Sequence, residues 1–236
     1  MISVVGRLAM LHAAHALVQS WPVQSWPVQS RDVARAGAYR YGPARFSQET
    51  CPVDISRIPI GKNPPSDINV VVEIPQGGVP VKYELDKESG ALMVDRFLHT
   101  AMYYPGNYGF VPHTLAEDGD PMDVMIVTQA VLVPGCIVRC RPVGVLQMRD
   151  EAGADEKVLA VPVDKLHPFY SGIRSYTDLP SILIEQIAHF FKHYKDLEKG
   201  KEVTLGEWGG PEVAERLIRD SIKRAEDSKL ARPHYE

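Results

Sequence analysis

Cysteine is scarce in this chain, and long apolar runs are missing from it. The three cysteines, Cys51, Cys136 and Cys140, lack Cys-x-x-Cys spacing and are odd in number. Neither a zinc or redox motif nor a disulfide framework is therefore expected, and we interpret them as reduced thiols of an intracellular protein. No apolar run approaches the roughly 18 residues that a transmembrane helix needs, so no membrane partner is expected.

An excess of positive charge is also missing. The 236 residues carry a formal net charge of −4, which argues against a basic surface for duplex nucleic acid and against a polybasic membrane segment. Hydrophobic residues make up 44% of the chain, enough to bury a sizeable core. The simplest organisation is one domain with additional terminal material.

Residues 1–55 differ in composition from the remainder. They contain no lysine and no acidic residue before Asp32, and Gln-Ser-Trp-Pro-Val occurs twice, at 19–23 and 24–28. We interpret 1–55 as an extension, flexible and outside a folded domain over 56–236. Its origin stays open between an organellar transit peptide, a poor signal peptide, and an upstream start before a working protein that begins near Asp54. An upstream start favours a cytoplasmic protein, and a transit peptide an organellar one.

Short β-rich runs separated by turn signals follow, and helical patterns come last. The runs cover 68–74, 79–85, 91–97, 123–127, 136–148 and 157–163, which favours a meandering antiparallel sheet or a small barrel. Apolar spacing predicts one helix over 182–194, with Asp178 or Ser181 as its N-cap, and a second from Pro211 to about Lys229. The predicted fold is mainly β, a barrel with two C-terminal helices packed on it.

The segment between Glu117 and Val124 is the most informative about chemistry. It places Asp118, Asp120 and Asp123 within six residues at the entrance to a predicted strand. The cluster is compatible with a solvated turn, because Asp, Gly and Pro are ordinary turn formers. An EF-hand is not expected, since the sixth and twelfth loop positions are not Gly and Glu. Carboxylates this dense repel one another unless cations lie between them, and hard oxygen ligands suit Mg²⁺ or Mn²⁺.

Further charged residues alternate along the predicted strands. Lys82 and Glu84 share one strand face, and Asp155 and Lys157 share another. Each lysine can simply neutralise its neighbour on a wet surface, or both pairs can belong to a site. The aromatic segment 102–110 is compatible with core packing or with hydroxyls presented to phosphate.

Taken in order, these motifs resemble the soluble family I inorganic pyrophosphatases of the bacterial type, from about Ser56 to Ala225. The resemblance rests on the following segments: Glu73-Ile-Pro, Lys82-Tyr-Glu84, Asp95-Arg96, Tyr104-Pro-Gly-Asn-Tyr108-Gly, Asp118-Gly-Asp120-Pro-Met-Asp123, Arg141-Pro-Val-Gly, Asp150 to Lys157, and His193-Tyr194-Lys195-Asp196. Several ordered motifs over some 170 residues are more specific than any one of them.

The resemblance implies a closed five-stranded barrel of the oligonucleotide-binding type and Mg²⁺-dependent hydrolysis of pyrophosphate. It implies several Mg²⁺ ions per subunit, with Mn²⁺ or Zn²⁺ as substitutes. Asp118, Asp123 and Asp155 would hold the activating ions, and Asp150 and Glu84 those that arrive with substrate. Asp120 would be the general base, supported by Glu73. The phosphate-binding residues would be Lys82, Arg96, Tyr104, Tyr108, Lys157, Tyr194 and Lys195. Seven acids and four bases then give the bare site a charge of −3.

His189 and His193 lie four residues apart on the first predicted helix, a spacing that can bind a metal. A zinc site is disfavoured, because the intervening residues lack the Glu of a zincin motif. Since the resemblance also implies a homo-oligomer, most simply a hexamer, we expect this helix at a subunit contact. Histidine protonation would then loosen the assembly toward about pH 5 to 6.

Two rival functions remain open at this point. A metal-dependent nucleotide phosphohydrolase would need a base-stacking pocket or a Gly-rich phosphate loop, and no Walker-type motif is present in the sequence. A single-strand nucleic-acid-binding barrel would need a basic groove with exposed aromatics, whereas the aromatics here lie among acids.

Overall fold

The computed structural model describes residues 54–231, so Cys51, the tandem repeat and nearly all of the predicted extension lie outside the described residues. Within these described residues, nine strands and two α-helices follow in chain order: β1 (Ile68–Ile74), β2 (Val81–Leu85), β3 (Leu92–Phe97), β4 (Asn107–Phe110), β5 (Asp123–Ile126), β6 (Ile137–Asp150), β7 (Gly153–Ala154), β8 (Lys157–Pro162), α1 (Ser181–His193), β9 (Thr204–Gly209) and α2 (Pro211–Ala231).

Five strands close on themselves and confirm the predicted barrel. Strand pairing runs from β1 to β4, β5, β8 and β6, and β6 pairs again with β1. All pairings in this ring are antiparallel except β5 with β8, which is parallel. A simple meander contains no parallel pair, so this pairing comes from the chain crossing over between β5 and β8. The 14-residue strand β6 also pairs with β7 and β9.

Strand β4 escaped the sequence analysis, although it is buried along its whole length. Gly109 explains its close approach to β1, because a Cβ atom built there would lie 1.8 Å from the backbone oxygen of Val71. Only glycine allows the two backbones to come so close. This contact keeps Tyr108, the preceding residue, in the barrel wall.

A β2–β3 hairpin forms a separate two-stranded sheet beside the barrel. Glu73, in β1, accepts a hydrogen bond from the backbone N–H of Leu85 in β2 at 2.7 Å, which connects the hairpin to the barrel. Alternation predicted from the sequence holds only at the ends of β2. Val81 and Leu85 are buried, but Tyr83, predicted on the same face, is half-buried like Lys82 and Glu84, and the register with β3 shifts between Lys82 and Tyr83.

The two helices cover opposite parts of the barrel core. Helix α1 buries Ile187, Phe190 and Phe191 in one hydrophobic cluster, and α2 buries Ala214 and Ile218 in another. Both helices are as predicted to within two residues at each end. The predicted N-cap of α1 is incorrect, because Pro180 occupies that position without a side-chain cap. Asp178 instead accepts hydrogen bonds from the N–H groups of Arg174 and Ser175 in the preceding turn.

The described cysteines are unpaired, as expected: Cys140 is buried and Cys136 is half-buried. Among residues 54–231, none of the helices has the length and apolar character needed to cross a membrane.

Candidate active site

A polar cavity of about 220 Å³ lies where the hairpin, the β4–β5 loop, the β6–β8 connection and the segment after α1 meet. Every site residue predicted from the sequence lines it, although these residues are up to 122 positions apart, from Glu73 to Lys195. The lining acids are Glu73, Glu84, Asp118, Asp120, Asp123, Asp150, Glu151 and Asp155, and the lining cations are Lys82, Lys87, Arg96, Lys157, Lys195 and Lys201.

Three of these charged residues were missed in the sequence. Glu151 directly follows Asp150, so its position in the same turn was a usable signal. Lys87 lies in the hairpin turn, whose Ser and Gly residues indicated only a turn, and Lys201 carries no local signal. With them, eight acids and six cations line the cavity, and the formal charge of the wall becomes −2 instead of −3.

The acidic loop is folded so that its aspartates face the cavity. Asp118 accepts a hydrogen bond from the backbone N–H of Asp120 at 3.0 Å, and Gly119 between them has φ +94°, a conformation that favours glycine. Arg224 of α2 donates to the backbone oxygen of Leu115 at the base of the loop. Local turn chemistry and α2 together therefore fix the direction of the loop.

Lys157 lies between two of the acids. Its ammonium group is 2.5 Å from an Asp123 carboxylate oxygen and forms a second ion pair with Asp155, while its side chain is only 4% exposed. Burial by itself would lower the pKa of Lys157, but the two carboxylates outweigh burial and raise it. The lysine therefore stays charged inside the protein.

Carboxylates in the cavity experience both burial and mutual repulsion. Burial raises the pKa of Asp155 and of half-buried Asp118, and the charges of neighbouring aspartates add to the rise in each case. The pKa of Glu73 is raised to about 8, chiefly by burial and against the lowering effect of its hydrogen bond from Leu85. Glu73 is therefore mostly protonated at neutral pH.

Two further cations, Lys195 and Lys201, come from the segment that follows α1. Lys195 lies 2.8 Å from Asp150 and 3.9 Å from Glu151, and Lys201 forms an ion pair with Glu151. The lysine next to Asp150 lowers the pKa of that carboxyl, outweighing a burial effect that would raise it. Ion pairs therefore hold the turn at Asp150 and Glu151 against the segment that follows α1.

The hairpin contributes its cations from directly opposed positions. Lys82 in β2 pairs in register with Arg96 in β3. The Lys82 ammonium lies 3.2 Å from Asp95 and 3.9 Å from Glu84, and neither partner of these pairs is fully buried. Pairs that stay partly open to solvent contribute little to stability, which leaves the Lys82 ammonium available to an anion.

Three buried tyrosines, Tyr104, Tyr108 and Tyr194, complete the cavity wall against α1. The ring of Tyr104 lies 4.6 Å from that of Phe190 and 5.2 Å from that of Tyr108. Burial raises the pKa of all three hydroxyls, so they remain protonated and can donate hydrogen bonds.

The chemistry of the donor set fits a hard divalent cation. Its oxygens are carboxylates, and the wall is acidic, as Mg²⁺ sites require. In their present positions no three Asp, Glu, His or Cys side chains within residues 54–231 converge closely enough to hold a metal ion. Lys157 contacts both Asp123 and Asp155 in this arrangement.

Comparisons with known proteins agree on one family. A family model described as inorganic pyrophosphatase matches residues 70–226. The inorganic pyrophosphatase of Caulobacter vibrioides is 66% identical over 176 residues, which span 75% of this chain and 99% of the relative. That of Pseudomonas aeruginosa is 54% identical, over 71% of this chain and 95% of its own length.

Solved structures give the same result. The crystal structure of an inorganic phosphatase from Anaplasma phagocytophilum superposes with a TM-score of 0.71 and 52% identity, covering 72% of this chain and 99% of the other. The inorganic pyrophosphatase from Thermus thermophilus has a TM-score of 0.69 and 39% identity, covering 73% and 99% of the two chains.

Proposed function

Because the chain belongs to the inorganic pyrophosphatase family, we propose that it hydrolyses pyrophosphate to two phosphates in the acidic cavity, with Mg²⁺ as cofactor and Asp120 as general base. The observation that carries this proposal is the convergence of acids, cations and tyrosines from distant segments on one small cavity. The cavity has an excess of carboxylates with cations interspersed, which suits a phosphate substrate that carries metal ions. A nucleic acid would instead require a uniformly basic groove.

The acids divide into those that would hold the cofactor and those that would not. Asp118, Asp123 and Asp155 would hold the activating Mg²⁺, while Asp150 and Glu84 would hold further ions that arrive with the substrate, with Mn²⁺ or Zn²⁺ as substitutes. When bound, Mg²⁺ supplies charge neutralisation and polarises water and phosphoryl oxygens. The carboxylates of this chain also repel a bare pyrophosphate, so metal should be obligatory for substrate binding.

Asp120 suits the role of general base because its carboxylate lines the cavity and is largely exposed. Its side chain is 64% exposed, and its one ion-pair partner among the described residues is half-exposed Lys87 at 3.5 Å. Asp123 and Asp155, in contrast, are engaged by buried Lys157. The Asp120 carboxylate would accept a proton from water as the water oxygen bonds to phosphorus and the bridging P–O bond breaks, releasing the second phosphate.

The cations and tyrosines would hold the two phosphoryl groups. Lys82 and Arg96 come from the hairpin, Lys157 from β8 and Lys195 from the segment after α1, so groups from three parts of the fold would hold the anion. Tyr104, Tyr108 and Tyr194 would donate hydrogen bonds through hydroxyls that burial keeps protonated. Phosphoryl transfer depends mainly on positioning and charge stabilisation, which this set supplies. Buried Glu73 would support the network by holding the hairpin against β1.

The catalytic domain would span 56–236, with 1–55 as an extension outside it. The match to the Caulobacter vibrioides relative spans 99% of that protein but only 75% of this chain. The family model begins at residue 70. We place the enzyme in the cytoplasm, with an organellar location as the alternative if 1–55 is a transit peptide.

The surface of α1 would form a contact between copies of this chain in a homohexamer. Here an open groove of about 690 Å³ is lined by apolar residues, among them Met102, Tyr103, Ile182 and Leu183. Tyr103 is 61% exposed and Ile182 is 59% exposed, so neighbouring large apolar side chains of this groove face solvent together. His189 lines the same groove.

Substrate comparison tests the proposed function. Purified protein would be supplied with pyrophosphate, ATP or a sugar phosphate, each with Mg²⁺ and with a chelator. We expect rapid phosphate release from pyrophosphate with Mg²⁺, and little from the other two substrates. Preferential release from ATP would instead favour the nucleotide phosphohydrolase, and salt-sensitive binding of single strands without turnover would favour the nucleic-acid-binding barrel.

A further inference from the structure

Glu198 does not line the cavity, yet its carboxylate faces one of the groups that does. Its Oε1 atom lies 3.4 Å from Nε of Arg96, and the Glu198 side chain is only 10% exposed. Both atoms are buried, and neither makes a hydrogen bond with any described residue, so their contact is an ion pair without hydrogen-bond geometry. Since a buried polar atom without a complement is costly, each of these groups depends on the other.

This contact joins two parts of the cavity wall. Arg96 belongs to the hairpin, whereas Glu198 belongs to the segment after α1 that also carries Tyr194 and Lys195. Next to the pair, Thr100 donates to the backbone oxygen of Tyr194 at 3.4 Å. The proposed phosphate ligands of the hairpin and of this segment are therefore fastened to each other at Glu198.

We propose that Glu198 is a positioning residue, which fixes the guanidinium of Arg96 for pyrophosphate and thereby sets the affinity for this substrate; the inference rests on the proposed function. An arginine side chain is long and loses much rotamer freedom when it binds an anion. Holding Nε removes part of that cost before the substrate arrives. The other ion-pair partner of Arg96 among the described residues is Asp95, 3.7 Å from Nη1. Loss of this contact would weaken the binding of the substrate and of the transition state by similar amounts. KM should therefore change more than kcat.

Kinetics of Glu198 variants test this assignment. We expect Glu198→Ala to raise KM for pyrophosphate about 5- to 50-fold with kcat changed less than about threefold. Glu198→Gln should recover only part of the loss, because it keeps the side-chain size and a polar oxygen near Nε but removes the charge. The matched control is Glu202→Gln, which removes the same charge from an exposed position of the same segment and should leave KM within about twofold.

A double-mutant cycle separates positioning from a purely structural role. Lysine has no Nε–H in a planar fork, so in an Arg96→Lys background Glu198→Ala should change KM less than about twofold. Equal losses in both backgrounds, accompanied by a lower free energy of unfolding, would overturn the proposal. So would a wild-type KM in Glu198→Ala itself.

A second test does not depend on turnover: calorimetry measures the binding of inorganic phosphate in Mg²⁺ buffer. Weaker phosphate binding by Glu198→Ala than by the wild type supports the proposal even if pyrophosphate is not hydrolysed, which would contradict the proposed function alone. Unchanged phosphate affinity in this variant overturns the positioning role even if hydrolysis is fast.

Discussion

The ammonium group of Lys157 lies 2.5 Å from a carboxylate oxygen of Asp123, inside a cavity whose wall is acidic overall. The same lysine contacts Asp155, and it is almost completely buried. One cation thus compensates two of the three aspartates proposed to hold the activating metal. Buried ion pairs of this kind are costly to break from one side, because the remaining charges are left without compensation.

Replacing Lys157 by methionine should therefore destabilise the metal-free protein strongly. We expect a loss of about 3 to 5 kcal/mol in the free energy of unfolding, because Asp123 and Asp155 lose their shared partner. Urea denaturation in the presence of a chelator measures this loss. Added Mg²⁺ should stabilise the variant more than the wild type, since a bound cation compensates the same carboxylates.

Lys87→Met provides the matched control for that substitution. Lys87 and Asp120 form an ion pair in which both side chains are about half-exposed or more, and pairs of that kind contribute at most about 1 kcal/mol. Equal destabilisation by the two substitutions would contradict the assignment of a special role to the buried pair.

Asp120→Asn tests the general base. Loss of a general base typically lowers turnover by about 10² to 10⁴, or roughly 2.7 to 5.4 kcal/mol of barrier. We expect kcat to fall within that range while calorimetry shows Mg²⁺ binding retained, because Asp120 is not assigned to the metal. Glu117→Gln, an exposed neighbour paired with Arg224 at 3.7 Å, should turn over normally. Near-wild-type turnover of Asp120→Asn would remove Asp120 from this role.

Glu73 should make stability depend on pH. Its pKa is about 8 in the folded protein against 4.5 for the ordinary group, so unfolding releases a proton between these values. Its contribution to stability is complete below about pH 4.5 and is lost progressively as the pH rises toward 8. The total loss is on the order of 5 kcal/mol.

Glu73→Gln removes the titration but keeps the oxygen that accepts from Leu85. In chelator-containing buffer, the stability of the variant relative to the wild type should increase steadily from pH 5 to 8. Chemical denaturation at several pH values measures this difference. Parallel stability curves for the two proteins would show that Glu73 does not titrate in this range.

Ile182→Glu tests the proposed contact between copies of the chain. This side chain is 59% exposed on the groove of α1, so the substitution should be tolerated in a single copy but should disfavour an apolar interface. Light scattering should give about six times the 26.2 kDa chain mass for the wild type and a smaller mass for the variant. Equal masses would place the contact elsewhere. Repeating the wild-type measurement from pH 7 to 5 tests the predicted loosening by histidine protonation.

Predictability from the sequence differs between the elements. Strand β1 was predicted at its observed ends, because a run of β-branched residues and a following turn signal mark it. Strands β4, β7 and β9 were missed, and each contains glycine, Gly109 in β4, Gly153 in β7 and Gly206 in β9. Their strand conformation comes from pairing with distant segments, and local residue preferences do not indicate it.

The candidate site was predicted to the extent that its residues occur in dense motifs. Asp118, Asp120 and Asp123 stand together in the sequence, so their shared role was visible. Lys87 and Lys201 reach the same cavity through tertiary structure alone, and no spacing rule connects them. The same holds for the contact between Arg96 and Glu198, which lie 102 positions apart.

Phosphate release from pyrophosphate as a function of Mg²⁺ concentration, with wild type and Asp120→Asn side by side, tests the central claim most directly. The account predicts that release by the wild type is abolished by a chelator and restored by Mg²⁺, and that the variant stays at least about a hundredfold slower at saturating Mg²⁺. Release that persists in the chelator, or that is equal in the two proteins, would contradict it.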